Sequence, residues 1–250
     1  MESAAPAQPE IVDGVFKHPG GELLFHLFNN EVCIRISEEI LAGKTYPEVP
    51  FVSGVKTILD IGANIGAASV WLATTYPKAT VYALEPGSKQ FGLLQQNAAT
   101  LTNIRAFPFG LFSKAQTVPL YKGRNDSVES SVFSTGRTSE ECENIELQAA
   151  PDFLKERSIK PIDILKLDTE GCEVPILRSL REYLPAIKLI YVEYHSDRDR
   201  RLIDALLADS HVLWRAHSAL VHRGEFCYLR RDLLPPASET HTCEILLPLD

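Results

Sequence analysis

Two apolar stretches of the chain end in groups of ionisable side chains. Residues 162–167 lead into Asp168 and Glu170, and residues 189–192 lead into Glu193 and then His195. Short apolar runs of this kind are typical of buried parallel strands, whose carboxyl ends lie at one edge of a sheet. The sequence therefore predicts that these side chains lie close together, where they could transfer a proton or bind a cation.

Proton transfer is the first chemistry that these residue types indicate. Imidazole titrates near neutral pH, so His195 is the leading candidate for a general base, with Asp168 or Glu193 orienting its ring. Asp168 is the alternative base. Lys166 lies two positions before Asp168, on the same face of the strand, where it would tune the carboxylates or hold an acceptor. Its plainer interpretation is an ion pair that only stabilises the sheet ends.

A divalent cation is a second interpretation of the same group. Asp168, Glu193 and His195 are acceptable ligands for magnesium or a transition-metal ion, which would lower the pKa of a bound hydroxyl group. We place the metal-free chemistry first and keep the metal as the alternative.

A glycine-rich turn follows the first predicted parallel strand, with the spacing Asp60-x-Gly62-x-Asn64-x-Gly66, and the next strand ends at Glu85. A carboxylate at that strand end can accept hydrogen bonds from both hydroxyls of a ribose, which predicts a nucleoside site. A pyrophosphate would be repelled by Asp60, whereas the sulfonium and amino groups of S-adenosylmethionine would be attracted. The pattern therefore favours this methyl donor over NAD, although a glycine turn alone also fits a simple tight connection.

Three more residues belong to the predicted nucleoside site. Pro86 follows Glu85, and Gly110 and Leu111 follow the third strand, where Leu111 would cover an adenine ring or pack in the core. The predicted cofactor-binding residues are Asp60, Gly62, Asn64, Gly66, Glu85, Pro86, Gly110 and Leu111. A NAD-dependent oxidoreductase and a non-catalytic binding module remain as alternatives.

Strands and helices alternate from about residue 55 onward, which predicts an α/β fold with a doubly wound, mostly parallel sheet. The predicted parallel strands are residues 55–61, 80–84, 104–109, 162–167 and 189–192. Residues 212–216 and 225–230 are predicted to add two antiparallel strands, which makes a seven-stranded sheet. A polar stretch, residues 121–137, either orders over a bound ligand or forms a surface loop.

The N-terminal part of the chain has a different pattern. Alternating apolar residues before and after Asn29-Asn30 predict a hairpin whose second strand is residues 32–36, followed by a short helix from Ser37 to about Gly43. Residues 1–50 are therefore interpreted either as an accessory lid or as a dimer element, and the second alternative would make the protein a homodimer. Residues 51–234 form the predicted main domain and residues 235–250 a tail.

Composition excludes several classes of partner. The net charge of −8 opposes binding to nucleic acid, which requires clustered Lys and Arg. No apolar run reaches the roughly 20 residues needed to cross a bilayer, and the N-terminus lacks the pattern of a signal peptide, so we expect a cytoplasmic protein with no membrane partner. The five cysteines are odd in number and far apart, which indicates neither a disulfide framework nor a zinc site.

Four segments in order resemble the FkbM family of methyltransferases. They are residues 59–66 (LDIGANIG), 84–86 (LEP), 163–173 (DILKLDTEGCE) and 192–195 (VEYH), and the resemblance covers about residues 55 to 230. It implies a class I methyltransferase Rossmann-like fold that uses S-adenosylmethionine. It also implies, in most members, O-methylation of a hydroxyl on a small-molecule acceptor such as a sugar, a polyketide or another secondary metabolite, with N-methylation as the alternative.

Overall fold

The computed structural model describes residues 10–123, 132 and 138–234. The strands in these ranges are β1 (Ile11–His18), β2 (Gly21–Phe28), β3 (Thr57–Ile61), β4 (Thr80–Leu84), β5 (Ile104–Phe107), β6 (Gly110–Phe112), β7 (Gln116–Gly123), β8 (Thr138–Ala149), β9 (Ile164–Leu167), β10 (Leu189–Tyr194), β11 (His211–Leu220) and β12 (Arg223–Arg230). The helices are α1 (Glu31–Leu41), α2 (Ala67–Thr75), α3 (Ser88–Ala98), α4 (Ala150–Glu156), α5 (Glu173–Ser179) and α6 (Asp197–Leu207).

A seven-stranded sheet with the order β11-β12-β10-β9-β3-β4-β5 forms the centre of the molecule. The five strands from β10 to β5 in this order are parallel, whereas β12 pairs antiparallel with β10 and β11 antiparallel with β12. The expected mostly parallel sheet is therefore confirmed. The chain moves outward from β3 in both directions, so the carboxyl ends of β3 and β9 flank the switch point where ligands of such sheets bind.

Helices cover both faces of this sheet, as a doubly wound fold requires. Phe153 of α4, Ile176 of α5 and Ile203 of α6 are fully buried in the core on one face. On the other face, Leu72 of α2 packs with Val49 and other residues of the segment before β3. None of the helices in the described ranges is long and apolar enough to span a membrane.

The N-terminal extension contains a hairpin, but our sequence interpretation placed it wrongly. Its strands are β1 and β2, and the predicted second strand, residues 32–36, is the first half of α1. Asn30, which we assigned to the turn, is the N-cap of this helix, and its side chain accepts a hydrogen bond from the Cys33 N–H at 2.8 Å. Cys33 and Ser37 are buried one helical turn apart, so tertiary packing overrides the alternating pattern.

A second sheet has three strands in the order β6-β8-β7. The predicted third strand, residues 104–109, is shorter than expected, because β5 ends at Phe107 and Gly110 already belongs to β6. Residues 124–131 and 133–137 of the predicted polar loop, and the tail 235–250, lie outside the described residues. Their expected roles stay predictions.

Candidate active site

The turn after β3 holds the ends of two neighbouring strands in close contact. Gly62 has a φ of +80°, and a Cβ atom there would lie 1.8 Å from the backbone oxygen of Asp168, so only glycine fits. The N–H groups of Gly62 and Ala63 both donate to the backbone oxygen of Leu84 at 3.0 Å. The ends of β3, β4 and β9 therefore meet in one place, as the sequence predicts.

Glu85 extends from the end of β4 into this place and is 8% exposed. Its two carboxylate oxygens accept hydrogen bonds from the N–H groups of Asn64 and Gly87, each at 2.8 Å. Burial raises the pKa of Glu85 to about 7, although both N–H donors act in the opposite direction. The backbone thus fixes the orientation of a carboxylate that can accept further hydrogen bonds from a diol.

An open cleft of about 700 Å³, counting the solvent at its mouth, lies in front of Glu85. Six of the eight predicted cofactor-binding residues line it: Gly62, Asn64, Glu85, Pro86, Gly110 and Leu111. Asp60 and Gly66 do not. A buried carboxylate beside glycine backbone and apolar side chains fits an adenosine group, so the lining agrees with the cofactor that the sequence favours.

Asp60 is fully buried beneath the turn. The sequence predicted that it attracts the cofactor, but a side chain in this position cannot do so by direct contact. Its Oδ2 accepts a hydrogen bond from Ser69 Oγ at 2.5 Å, and its Oδ1 lies 3.2 Å from Lys166 Nζ. Lys166 also donates to the backbone oxygen of Gly62 at 2.5 Å. Burial would lower the pKa of Lys166, but the charges of Asp60 and Asp168 outweigh it, so the ammonium stays charged.

His195 follows β10 and lies among carboxylates. Its Nε2 is 2.9 Å from Glu170 Oε2 and 3.7 Å from Glu193 Oε1, and its Nδ1 is 3.4 Å from Glu173 Oε1. Burial would lower the pKa of His195, but Glu170 and Glu173 raise it to about 11. With carboxylates beside both ring nitrogens, His195 is a cation at neutral pH.

Asp168 and Glu193 form a carboxyl pair at the ends of β9 and β10. Burial and the charge of Asp168 raise the pKa of Glu193 well above its usual value, so Glu193 carries the proton of the pair. Burial would also raise the pKa of Asp168, but Lys166, the hydrogen bond from Glu193 and His195 hold it below its usual range. Asp168 is therefore ionised, and it also lines the cleft in front of Glu85.

Arg223 and Tyr46 contact this group but were not among the candidate residues of the sequence analysis. Arg223, the first residue of β12, lies 2.5 Å from Glu193 Oε1 through Nε and 3.4 Å from Glu170 Oε1 through an amino nitrogen. The Tyr46 hydroxyl lies 3.4 Å from Asp168 Oδ2. Neither residue stands in a motif, and both are far in sequence from their partners, so only the folded chain shows them. We call Lys166, Asp168, Glu170, Glu173, Glu193, His195 and Arg223 the charge cluster.

The charge cluster also has the composition of a metal site. Potential ligand atoms of Asp168, Glu170, Glu193 and His195 lie within 4.8 Å of one another. In the structure, however, the ammonium of Lys166, the imidazole of His195 and the guanidinium of Arg223 already lie beside these carboxylates. Positive charge thus comes from the chain itself.

Comparison with known proteins agrees with this geometry. The Methyltransferase FkbM domain model matches residues 60–216, which is more than half of the chain. Methyltransferase sdnD of Sordaria araneosa is 29% identical over 185 residues, covering 61% of this chain and 71% of that protein. 2-O-methyltransferase NoeI of Sinorhizobium fredii is 22% identical over 156 residues, covering 57% and 64%. The chain thus spans about two thirds of the length of these relatives.

One solved structure supports the fold alone. The fibrillarin pre-rRNA processing protein of Methanococcus jannaschii superposes with a TM-score of 0.50 at 13% identity, covering 87% of this chain and 82% of that one. The sheet order, the glycine turn, Glu85 and the family match all lead to one assignment. The chain belongs to the FkbM family of S-adenosylmethionine-dependent methyltransferases.

Proposed function

We propose that this protein transfers a methyl group to a hydroxyl oxygen of a small-molecule acceptor and that Asp168 accepts the hydroxyl proton. The observation that carries the proposal is the position of Asp168, which lines the nucleoside cleft and belongs to the charge cluster. A sugar, a polyketide or another secondary metabolite fits this role, and a relative whose name specifies 2-O-methylation supports oxygen as the acceptor atom.

The nucleoside cleft would hold S-adenosylmethionine, which supplies an electrophilic methyl group. Glu85 would accept hydrogen bonds from the ribose hydroxyls, while Gly62 and Asn64 form the backbone wall beside it. Pro86, Gly110 and Leu111 would enclose the adenine. Lys166 holds this wall in place through its bond to the Gly62 oxygen and keeps Asp60 neutralised below it.

Asp168 is a better base than His195, our first candidate from the sequence. An alcohol needs an acceptor for its proton when its oxygen attacks, and a charged imidazole cannot provide one. Asp168 is ionised, and Lys166 Nζ at 3.9 Å and the proton on Glu193 stabilise that state. His195 then compensates the charges of Glu170 and Glu173, while Arg223 compensates Glu170 and lies beside the protonated Glu193.

A divalent cation at Asp168, Glu193 and His195 would be an alternative to this proton transfer. Lys166, His195 and Arg223 already supply cationic charge to these carboxylates, and this favours the metal-free version. N-methylation stays as the alternative reaction. The absence of a nucleic-acid substrate, the homodimer and the cytoplasmic location stay predictions.

The test begins with the cofactor. Calorimetric titration with S-adenosylhomocysteine should show binding to the wild type, strongly weakened binding to Glu85→Ala, and no binding of NAD. Asp168→Asn should keep most of the affinity for S-adenosylhomocysteine, because the amide is of the same size, but should lose methyl transfer to hydroxylated acceptors. Methylation of amines rather than alcohols in paired acceptor panels would overturn the O-methylation proposal, and NAD binding would overturn the cofactor assignment.

A further inference from the structure

A second cleft lies beside the charge cluster, between the end of α1 and the strands β11 and β12. It has a volume of about 730 Å³, counting the solvent at its mouth. Tyr46 forms the boundary between this cleft and the cluster. Tyr46 lines the cleft, and its hydroxyl lies 3.4 Å from Asp168 Oδ2.

The sheet register places this second cleft next to the proposed base. Glu225, which lines the cleft, pairs with Glu193 across β10 and β12, and His217 pairs with Glu225 across β11 and β12. Cross-strand partners lie on the same face of a sheet. The side chains of Glu193, Glu225 and His217 therefore form one row that leads from the charge cluster into the cleft. Tyr46 therefore both lines the cleft and contacts Asp168.

The charged side chains that line the cleft differ in whether they have an ion-pair partner. Glu39 lies 3.4 Å from Arg35, and Glu225 lies 2.9 Å from His217 Nδ1. Lys44 and Arg215 also line the cleft, and within the part of the chain that the structure describes neither has an ion-pair partner. Each acid thus has a basic side chain within 3.4 Å, while Lys44 and Arg215 remain available to a ligand.

Building on the proposed function, we infer that this cleft is the acceptor subsite and that it selects acceptors with a carboxylate or phosphate group near the methylated hydroxyl. Arg215 can bind either oxyanion through two parallel hydrogen bonds, and Lys44 adds a point charge. In a chain with a net charge of −8, two cations without acidic partners in one cleft would draw an anionic acceptor to this place. The Lys44 and Arg215 side chains are then specificity-determining, and they take no part in proton transfer.

The test uses full-length protein saturated with S-adenosylhomocysteine and three probes: D-glucuronate, D-glucose 6-phosphate and the neutral D-glucose. Ligand-observed NMR titration gives the dissociation constants. We expect at least one acid to bind about tenfold or more tightly than glucose, and the stronger acid identifies the oxyanion. Lys44→Met and Arg215→Met should each weaken its binding about fivefold, and 0.5 M NaCl should weaken it further.

Matched control variants separate this effect from a general loss of charge. Lys78 and Arg181 are exposed and lie beyond the opposite ends of the strands, so Lys78→Met and Arg181→Met should bind the acid like the wild type. Equal binding of glucose and the acids, no binding of either acid, or equal losses in cleft and control variants would overturn the inference. Affinity for S-adenosylhomocysteine is measured in parallel, so its absence in the wild type would count against the proposed function instead.

Discussion

The hydroxyl group of Tyr46 lies 3.4 Å from Oδ2 of Asp168, although 122 positions separate the two residues. Tyr46 is almost fully buried, and burial together with the charge of Asp168 raises its pKa well above its usual value. The hydroxyl therefore keeps its proton and can only donate to the carboxylate. Through this contact, the N-terminal extension positions the proposed base.

Removing this hydroxyl should change the protonation of Asp168. We expect Tyr46→Phe to lower kcat about fivefold, equivalent to about 1 kcal/mol for a long hydrogen bond, and to shift the acidic limb of the kcat profile to higher pH. The affinity for S-adenosylhomocysteine should not change. Tyr191→Phe is the control, since that hydroxyl donates to the Pro47 oxygen instead. A drop in kcat without the pH shift would indicate a structural role only.

The raised pKa of Glu85 predicts pH-dependent cofactor binding. The carboxylate form accepts hydrogen bonds from the ribose, and protonation removes part of this capacity, so binding should weaken as the pH falls through about 7. The affinity for S-adenosylhomocysteine should decrease several-fold between pH 8 and pH 6 in the wild type, on the order of tenfold per pH unit at most. Glu85→Gln should bind weakly with no such dependence. Equal pH dependence in both proteins would contradict the role of Glu85.

The position of His195 predicts that the free energy of unfolding of the protein decreases at alkaline pH. Its pKa in the folded state is about 11, above the ordinary value of 6.5, so the folded state binds the proton more tightly than the unfolded state. This contribution is fully present below pH 6.5 and is lost as the pH rises toward 11. In chelator-treated protein, the free energy of unfolding of the wild type relative to His195→Gln should fall by a few kcal/mol between pH 6 and pH 10. A constant difference would show that His195 is neutral in the fold.

Chelation distinguishes the two interpretations of the charge cluster. If Lys166, His195 and Arg223 provide the cationic charge, methyl transfer should stay within about twofold after EDTA treatment and should not rise with added Mg²⁺. The measurement is the initial rate with an identified acceptor, before and after dialysis against the chelator. Loss of activity that Mg²⁺ restores would establish the metal-dependent alternative.

The contact between Gly62 and Asp168 predicts a severe effect of one methyl group. A Cβ atom at Gly62 would lie 1.8 Å from the Asp168 backbone oxygen, so Gly62→Ala must separate the ends of β3 and β9. We expect a loss of several kcal/mol in stability, seen as a lower denaturation midpoint, with loss of cofactor binding. Gly92→Ala is the control, because its Cβ atom would meet nothing within 4 Å in α3, and alanine should stabilise the helix by roughly 0.5–1 kcal/mol. A Gly62→Ala protein as stable as the wild type would refute the close contact.

Local patterns were sufficient for much of the main domain. The predicted bounds of β4 agree with the structure, because an apolar strand followed by Glu85-Pro86 is a signal of neighbouring residues. The glycine-rich motif around Gly62 likewise predicted the turn that follows β3. The same kind of reasoning failed for residues 32–36, whose alternation suits a strand in isolation but which pack as a helix against the rest of the extension and α2.

The sequence alone determined the class of the protein: an α/β fold with a mostly parallel sheet and a methyltransferase family. Only the tertiary structure decided the roles within the charge cluster, because a pKa depends on burial and on charges that come from distant parts of the chain. Sequence spacing made His195 the leading candidate for a base, whereas the contacts with Glu170 and Glu173 make it a cation, which is why we propose Asp168 as the base. Tyr46 and Arg223 reach the same place from the two ends of the chain, and no local pattern records where a fold brings such residues together.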